Sequence, residues 1–350
     1  MEHKFITIGE IMMRLTPPNY EKIRVTQTYE ASFGGAEANI ALALANLGID
    51  SSFFTVVPDN SIGKSAIRML RSYDVHCSPI IRSTPEETPT HRLGTYYLET
   101  GFGIRPSQVT YDRKHSAFSE YDFSEYDLRA LLSDYTWLHM SGITPALSDN
   151  LRKLTIDSMR IAKELGLTVS FDGNFRSTLW TWEEARDFCT SCLLYVDVLF
   201  GIEPYHLWRD DNNHELGDYK DDIPMQPTYE EQDEVFKHFV ARYPNIKCIG
   251  RHVRYAHSGT ENSLKAYLWL NGQTYESKLF RFTILDRVGG GDAFASGLIY
   301  AMMENYSPED IVNFAVASSV IKHTIRGDAN ITDDAETIRN LMNMNYDIKR

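Results

Sequence analysis

Short apolar runs alternate with amphipathic segments along most of the chain, and this alternation strongly limits the folds that it can adopt. Residues 5–8 and 52–57 have the composition of buried strands. Between them, Ile40, Leu44 and Leu47 share one helical face just before Gly48. Strands that alternate with covering helices are typical of a mainly parallel sheet with helices on both faces. The pattern therefore predicts an α/β fold.

The second half of the chain repeats the alternation and adds one antiparallel element. Thr228 begins a capping box that predicts a helix ending near residue 242. The dipeptide Asn271-Gly272 separates two strand-like runs and favours the tight turn of a β-hairpin. Residues 209–228 are rich in Asp, Asn, Pro and Gly, which predicts a solvent-exposed insertion.

Two segments, residues 12–33 and 90–118, do not follow this alternation. Both lack helical apolar periodicity and are rich in Thr, Tyr, Arg and β-branched residues. They predict strands of a small second sheet inserted into one domain that spans residues 1–350. Two interpretations stay open, since the strands form either a lid over a site or edge strands of the main sheet.

Charge and cysteine content exclude several classes of protein. The 350 residues include 48 acidic and 35 basic side chains, so the formal net charge of −13 repels nucleic acid and anionic membranes, and we expect neither as a partner. Four cysteines are too few for a disulfide framework, and Cys189 and Cys192 lie in a helix-like run that predicts core packing. The first ten residues do not resemble a signal peptide, so we expect a cytoplasmic protein.

A glycine run near the C-terminus carries the strongest chemical signal. Gly289, Gly290 and Gly291 directly precede Asp292 and a helix-like segment. Glycines let successive backbone N–H groups point at one anion, and a helix start adds positive potential, so the run predicts a phosphate cradle. The helix dipole should keep Asp292 ionised near neutral pH, which makes it a candidate general base. The alternative is a flexible turn with Asp292 as an N-cap.

Two motifs in the same chain together resemble a known family. The segment 33–48 begins Phe-Gly-Gly-Ala-Glu-Ala-Asn, and the segment 288–294 reads Val-Gly-Gly-Gly-Asp-Ala-Phe. The chain resembles the ribokinase-like (PfkB) carbohydrate kinases over residues 8–341. Within that family it is most similar to the kinases of 2-keto-3-deoxygluconate. That similarity rests on residues 35–39, 111–117, 172–180 and 325–328.

The resemblance implies a three-layer αβα ribokinase fold with a small β-sheet lid, and an enzyme that transfers a phosphoryl group from ATP to an alcohol. It implies that Asp292 deprotonates the terminal hydroxyl of the sugar acid, giving the 6-phosphate, and that the amides of residues 289–291 form an anion hole. Mg²⁺ is expected with ATP, a monovalent cation is a further candidate cofactor, and a homo-oligomer through the lid is expected. Gly34, Gly35 and Asn39 are expected to contact the sugar.

The lid supplies the expected contacts to a sugar acid. The resemblance places Tyr96, Tyr111 and Arg113 at the substrate, and a guanidinium suits a carboxylate because it donates two parallel hydrogen bonds. Each Tyr could instead serve cross-strand packing. Arg113 also discriminates between substrates, since a neutral sugar would leave its buried guanidinium unpaired. Asp328 is expected to bond sugar hydroxyls, while Arg176 is expected to reach the substrate or the transferring phosphate.

The sequence offers four candidate residues on the nucleotide side. Asp172 and Asn174 match the family motif, with a structural Asx-turn as the alternative. Arg251 and Arg254 stand where relatives have a glycine-rich turn, and they either contact phosphates or are exposed strand-end charges. Many members have an acidic N-x-x-E motif that contacts metal. Here Pro204 takes its glutamate position, so we expect no metal ligands there unless Glu203 substitutes.

Three other functions stay open at this point. The first keeps the chemistry but changes the sugar to 2-ketogluconate, fructose or a nucleoside. The second is a catalytically silent sugar-binding or regulatory protein on the same fold, against which Asp292 and the glycine run argue. The third, a hydride-transfer enzyme, is disfavoured because the chain lacks the dinucleotide fingerprint, just as it lacks a P-loop.

Overall fold

The structure is a computed structural model that describes residues 3–205 and 226–344. The strands, in chain order, are β1 Lys4–Ile8, β2 Met12–Thr16, β3 Glu30–Gly34, β4 Asp50–Phe54, β5 Val56–Pro58, β6 Ile81–Ser83, β7 Gly94–Glu99, β8 Gln108–Asp112, β9 Trp137–Ser141, β10 Thr168–Asp172, β11 Val198–Phe200, β12 Cys248–Ala256, β13 Glu261–Leu270, β14 Gln273–Glu276 and β15 Phe280–Thr283. The helices are α1 Ala36–Asn46, α2 Ser61–Arg71, α3 Ala117–Glu120, α4 Leu128–Leu132, α5 Asp149–Glu164, α6 Trp182–Cys192, α7 Tyr229–Arg242, α8 Gly290–Met303, α9 Pro308–His323 and α10 Ala335–Met342.

The main sheet runs β14-β13-β12-β11-β10-β9-β1-β4 across the described residues, with β15 paired to β13. From β12 to β4 every pairing is parallel, and β13 to β15 are antiparallel additions. Phe5 and Ile6 are both fully buried but belong to different core clusters, one on each side of the sheet. Strands covered on both faces are typical of a three-layer αβα fold, so the α/β prediction is confirmed.

Local signals in the sequence mark several boundaries correctly. Helix α1 ends before Gly48, which has a φ of 88° and accepts the left-handed backbone that stops the helix. Thr228 and Glu231 form the reciprocal capping box of α7. Asn271 and Gly272 both have positive φ between β13 and β14, as a tight hairpin turn requires.

The segments 12–33 and 90–118 form a four-stranded second sheet in the order β3-β2-β7-β8. The second sheet is therefore confirmed, and its strands are not edge strands of the main sheet. Strand β8 is exposed along its whole length, whereas Tyr96 and Leu98 on β7 are buried. Whether this sheet moves as a lid stays a prediction.

The structure corrects one predicted strand and leaves one segment aside. Residues 52–57 are not a single strand, because β4 ends at Phe54 and Val56 pairs with Ile81 in a separate two-stranded sheet. Most of the predicted insertion at residues 209–228 lies outside the described residues.

Cys189 and Cys192 are fully buried free thiols on α6, so the prediction of core packing is confirmed. In the described part of the chain, no helix is both long and apolar enough for a bilayer.

Candidate active site

A cleft of about 640 Å³ lies between the second sheet and the ends of the main-sheet strands. Glu10, Ile143 and Asp172 line it from the carboxyl ends of β1, β9 and β10, and the start of α8 lines it from below. Strands β7 and β8 form the opposite wall. Ligands of parallel α/β sheets bind at this edge, because the loops after the strands converge there.

Packing explains why the first two residues of the glycine run carry no side chain. Gly289 has a φ of 81°, and a Cβ there would lie 1.6 Å from the carbonyl oxygen of Asp328. At Gly290 a Cβ would lie 2.3 Å from Cε1 of His323. Gly291 has open space toward the cleft, where His252 is the nearest neighbour at 3.8 Å. The first amides of α8 have no partner within the helix, so the cleft receives the donors of an anion site.

Asp292 lies in the first turn of α8 and faces the cleft. Its protonation differs from the expectation that the helix dipole keeps it ionised. Burial raises the pKa of Asp292 to about 7, although a hydrogen bond from Asn39 and the charge of Arg176 oppose that rise. Desolvation penalises the charged carboxylate more than the donors compensate. Asp292 is therefore close to half ionised at neutral pH, in the range that suits a general base.

Asn39 is held beside Asp292 rather than left free for a sugar. Its Nδ2 donates to Oδ2 of Asp292 at 2.6 Å, and its Oδ1 accepts from the amide of Gly35 at 3.3 Å. Gly35 and Asn39 both line the cleft. Gly34 is not among the described residues that line it, because a Cβ at Gly34 would lie 2.2 Å from Oδ2 of Asp328. Gly34 therefore packs on Asp328, and its expected sugar contact stays a prediction.

The end of β10 and the loop that follows it bring three expected residues into the cleft. Asp172 accepts from the amide of Asn174 at 2.8 Å, and this is the Asx-type bond given above as the structural alternative. Burial raises the pKa of Asp172 to about 6. Arg176 is exposed to the cleft, and its charge lowers the pKa of both Asp172 and Asp292. The three residues therefore shape the electrostatics around the candidate base.

Sequence reasoning missed Glu37, a buried carboxylate in the floor of the cleft. Its Oε1 accepts from the hydroxyls of Ser141 at 2.7 Å and Thr144 at 2.9 Å, and burial raises the pKa of its carboxyl group. A Cβ at Gly9 would lie 2.4 Å from this carboxyl. The available signal was a charged residue among the alanines of an otherwise apolar helix start.

The structure corrects the argument that made Arg113 discriminate between substrates. Its Nε donates to Oε2 of Glu10 at 2.8 Å, and its Nη2 donates to the same oxygen. Both side chains are buried, at 7% and 2% exposure. A neutral sugar would therefore not leave the guanidinium unpaired. Arg113 nevertheless lines the cleft, and no hydrogen bond of its Nη1 is observed among the described residues.

Asp328 and Tyr96 belong to a buried network at the base of the second sheet. Nη1 of Arg14 lies 2.5 Å from Asp328 and its Nη2 lies 2.5 Å from Asp286. The Tyr96 hydroxyl donates to Asp328, and burial raises its pKa further. Asp286 also accepts from the amide of Val288 at 3.2 Å, which ties this network to the glycine run. Both carboxylate oxygens of Asp328 thus accept hydrogen bonds from within the protein. The sequence analysis expected only a sugar contact for this residue.

The acidic side chains of this network are balanced by cationic side chains of the same chain. The carboxylates of Asp286 and Asp328 both bind Arg14. The ammonium of Lys322 is buried nearby, and burial lowers its pKa although Asp286 and Asp328 oppose that change. Two cationic side chains therefore balance the two carboxylates, and the expected monovalent cation stays a prediction without an assigned site.

Tyr111 is the exposed aromatic of the cleft. Its ring is 40% exposed, lies 5.8 Å from the Tyr96 ring and sits beneath the Arg113 guanidinium at 5.6 Å. It lines the cleft from β8. Tyr111 can therefore offer both an apolar face and a hydroxyl to a ligand.

Arg251 is a buried arginine with partners rather than the exposed strand-end charge that was one of the two interpretations. It is 7% exposed, donates to Oε1 of Gln232 at 2.5 Å and lies 3.7 Å from Glu203. Neither Arg251 nor Glu203 is among the described residues that line the cleft. Glu203 is therefore placed to pair with Arg251, and its substitution for the missing family glutamate stays a prediction. Arg254, two residues further along β12, does line the cleft.

A profile of the family described as pfkB family carbohydrate kinase matches residues 2–204 and 239–335. The chain belongs to this family of carbohydrate kinases. A curated relative, 2-dehydro-3-deoxygalactonokinase from Haloferax volcanii, is 30% identical over 97% of this chain and 96% of its own length. Another, 2-dehydro-3-deoxygluconokinase from Bacillus subtilis, is 28% identical over 92% of this chain and 90% of its own length.

The crystal structure of 2-dehydro-3-deoxygluconokinase from Thermotoga maritima superposes on this pfkB kinase with a TM-score of 0.88. The two are 35% identical, and the match covers 98% of this chain and 100% of that one. The ribokinase-like fold and the phosphotransferase class are therefore confirmed. Across residues 3–205 and 226–344, no three His, Cys, Asp or Glu side chains are grouped to hold a metal ion.

Proposed function

We propose that this kinase transfers the γ-phosphoryl group of MgATP to the terminal hydroxyl of 2-keto-3-deoxygluconate, giving the 6-phosphate and ADP. The observation that carries the proposal is the position of Asp292. Its carboxylate lies in a cleft beside the first amides of α8 and is held at 2.6 Å by Asn39. The names of the relatives from Bacillus subtilis and Thermotoga maritima support this choice of sugar acid.

In this mechanism the ionised Asp292 accepts the proton of the attacking hydroxyl. The hydroxyl oxygen forms a bond to the γ-phosphorus, and the bond from that phosphorus to the β–γ bridging oxygen breaks, so that ADP leaves. The amides at residues 289–291 point where negative charge develops on the phosphoryl oxygens. Arg176 favours the ionised base, since its charge lowers the pKa of Asp292.

The sugar acid would lie between the second sheet and Asp292. Arg113 remains our proposed carboxylate contact, through Nη1, because Nε and Nη2 are engaged by Glu10. Tyr111 would pack on the carbon chain with its exposed ring. Glu10 balances the charge of Arg113, so shape and hydrogen bonding, rather than net charge alone, would select the acid.

A second candidate substrate is the galactonate epimer, 2-keto-3-deoxygalactonate. The curated relative from Haloferax volcanii carries that name and matches nearly the whole chain. We also propose self-association through the second sheet. Its surface includes Phe102 at 60% exposure, Ile104 at 97% and Val109 at 37%.

The test is coupled ADP release from MgATP with a panel of acceptors: both 3-deoxy keto acids, 2-ketogluconate, gluconate, fructose, ribose and adenosine. We expect turnover on one or both 3-deoxy keto acids and little on the neutral compounds. Turnover only on a neutral sugar would keep the kinase and remove the sugar-acid assignment. Silence on every acceptor would favour the sugar-binding protein.

A further inference from the structure

Besides Arg176, two arginines of the cleft lack an acidic partner among the described residues. Arg254 on β12 and Arg287, just before the glycine run, both line the cleft and are exposed to it. Within the described part of the chain, neither forms a hydrogen bond or an ion pair. By contrast, Arg14, Arg113 and Arg251 all have carboxylate or amide partners. The chain has a net charge of −13 and therefore an excess of acidic side chains. The absence of an acidic partner for these two arginines is thus a local feature of their side of the cleft.

The two guanidinium groups also repel each other. Burial, and then the charge of Arg287, lowers the pKa of Arg254 to about 10, and burial lowers the pKa of Arg287. Both side chains stay protonated at neutral pH. His252 is the nearest neighbour of Gly291, and burial lowers its pKa to about 4, so it adds a neutral ring rather than a third charge. Like charges held together without a counter-ion are typical of a site that binds an anion.

We infer that Arg254 and Arg287 form a clamp for the terminal phosphate oxygens of the nucleotide, opposite the amides at residues 289–291. The inference rests on the proposed kinase function and assigns Arg287, which sequence reasoning missed, a role in binding and transfer. Phosphoryl transfer spreads charge over three equatorial oxygens. Amides reach them from one side, and two planar guanidinium groups can reach them from another.

The place of the pair in the cleft favours phosphate over the carboxylate of the sugar acid. Arg287 is separated from Gly289 by a single residue, and Arg254 lies two residues beyond His252, the nearest side chain to Gly291. The carboxylate contact that we propose, Arg113, lies on the opposite wall beside β8. A polyphosphate also carries more negative charge than the single carboxylate of the sugar acid, and it can therefore neutralise two guanidinium groups.

The test uses the variants Arg254→Met and Arg287→Met, with Arg281→Met as a matched control. Arg281 is an exposed arginine on β15 outside the cleft. Titration calorimetry measures the affinity for MgATP, for magnesium tripolyphosphate and for 2-keto-3-deoxygluconate, and steady-state assays measure kcat and KM. We expect each clamp variant to weaken both phosphate ligands about tenfold and to lower kcat about 10²-fold. Its affinity for the keto acid and all the properties of Arg281→Met should match wild type.

Thermal melting of the ligand-free variants separates this role from a structural one. Removing either member of a repelling pair should leave Tm unchanged or raise it, and Arg287→Lys should recover part of kcat. Clamp variants that bind both phosphate ligands like wild type would overturn the clamp and leave the kinase intact. Loss of keto-acid affinity instead would overturn it in favour of a carboxylate site. Wild-type protein that binds neither MgATP nor tripolyphosphate would overturn the proposed function and the clamp together.

Discussion

The two walls of the cleft differ in whether their cationic side chains have acidic partners. On the second-sheet wall, Arg14 binds Asp286 and Asp328, and Arg113 binds Glu10, so both buried arginines have an acidic partner. On the main-sheet wall, Arg176 and the clamp arginines have no carboxylate at ion-pair distance among the described residues. Paired charges fix the shape of the site, whereas unpaired charges are available to a ligand. We therefore call the second-sheet wall the architectural wall, because its charges are paired within the protein. We call the main-sheet wall the chemical wall, because its charges are available to a ligand.

The largest effect is expected at the chemical wall. Asp292→Asn removes the proton acceptor but keeps the shape and the bond partner Asn39. We expect kcat to fall by about 10²- to 10⁴-fold while the affinity for MgATP changes little, as measured by steady-state kinetics and calorimetry. Activity within a few-fold of wild type would show that Asp292 is not the base.

On the architectural wall, the same kind of change should act on stability. Arg14→Met leaves Asp286 and Asp328 buried without their cation, at a cost of roughly 3–5 kcal/mol in the free energy of unfolding. Urea denaturation measures this cost. The control is Arg326→Met, because Arg326 pairs with Glu30 at an exposed position and should contribute less than about 1 kcal/mol. Equal losses in the two variants would remove the distinction between the walls.

The pH dependence of catalysis sharpens the account of Asp292. Because burial raises its pKa from 3.8 to about 7, kcat/KM should fall about tenfold from its plateau to one pH unit below 7. The contribution of Asp292 to the free energy of unfolding changes with pH in the opposite direction to kcat/KM. This contribution is fully present below pH 3.8 and is lost as the pH rises through 7, because burial disfavours the ionised carboxylate. Asp292→Asn should therefore be more stable than wild type at pH 8. A rate profile that is flat down to pH 5 would contradict the raised pKa.

A smaller effect is expected at Glu10, where the architectural wall meets the substrate. Glu10→Gln leaves Arg113 without its counter-charge and should lower stability by about 1–3 kcal/mol in the absence of ligand. A keto acid that contacts Arg113 would replace part of that charge. The rise in Tm on adding 2-keto-3-deoxygluconate should therefore be larger than in wild type, with Glu30→Gln as the control. An unchanged rise would argue against the Arg113 contact.

Much of the architecture follows from local sequence signals. The alternation of apolar and amphipathic runs predicts the parallel sheet, Gly48 and Thr228 mark helix ends, and the exceptional segments predict the second sheet. The split after Phe54 was not predictable, because it depends on the pairing of Val56 with Ile81, far along the chain. Strand composition alone does not specify which sheet a strand joins.

The site was predictable as a set of positions but not as a set of contacts. The glycine run and Asp292 are adjacent in sequence, so their joint role could be inferred. Glu10 and Arg113 are 103 residues apart, and only the fold reveals that they pair. Likewise, the pKa of Asp292 depends on how the cleft desolvates it, which a helix-dipole argument does not include.

The most direct test of the central claim is ³¹P NMR of wild-type protein with MgATP and 2-keto-3-deoxygluconate. The account predicts ADP and one new phosphomonoester signal that is coupled to the two protons on C6. Release of inorganic phosphate without that signal, or an unchanged ATP spectrum, would contradict it.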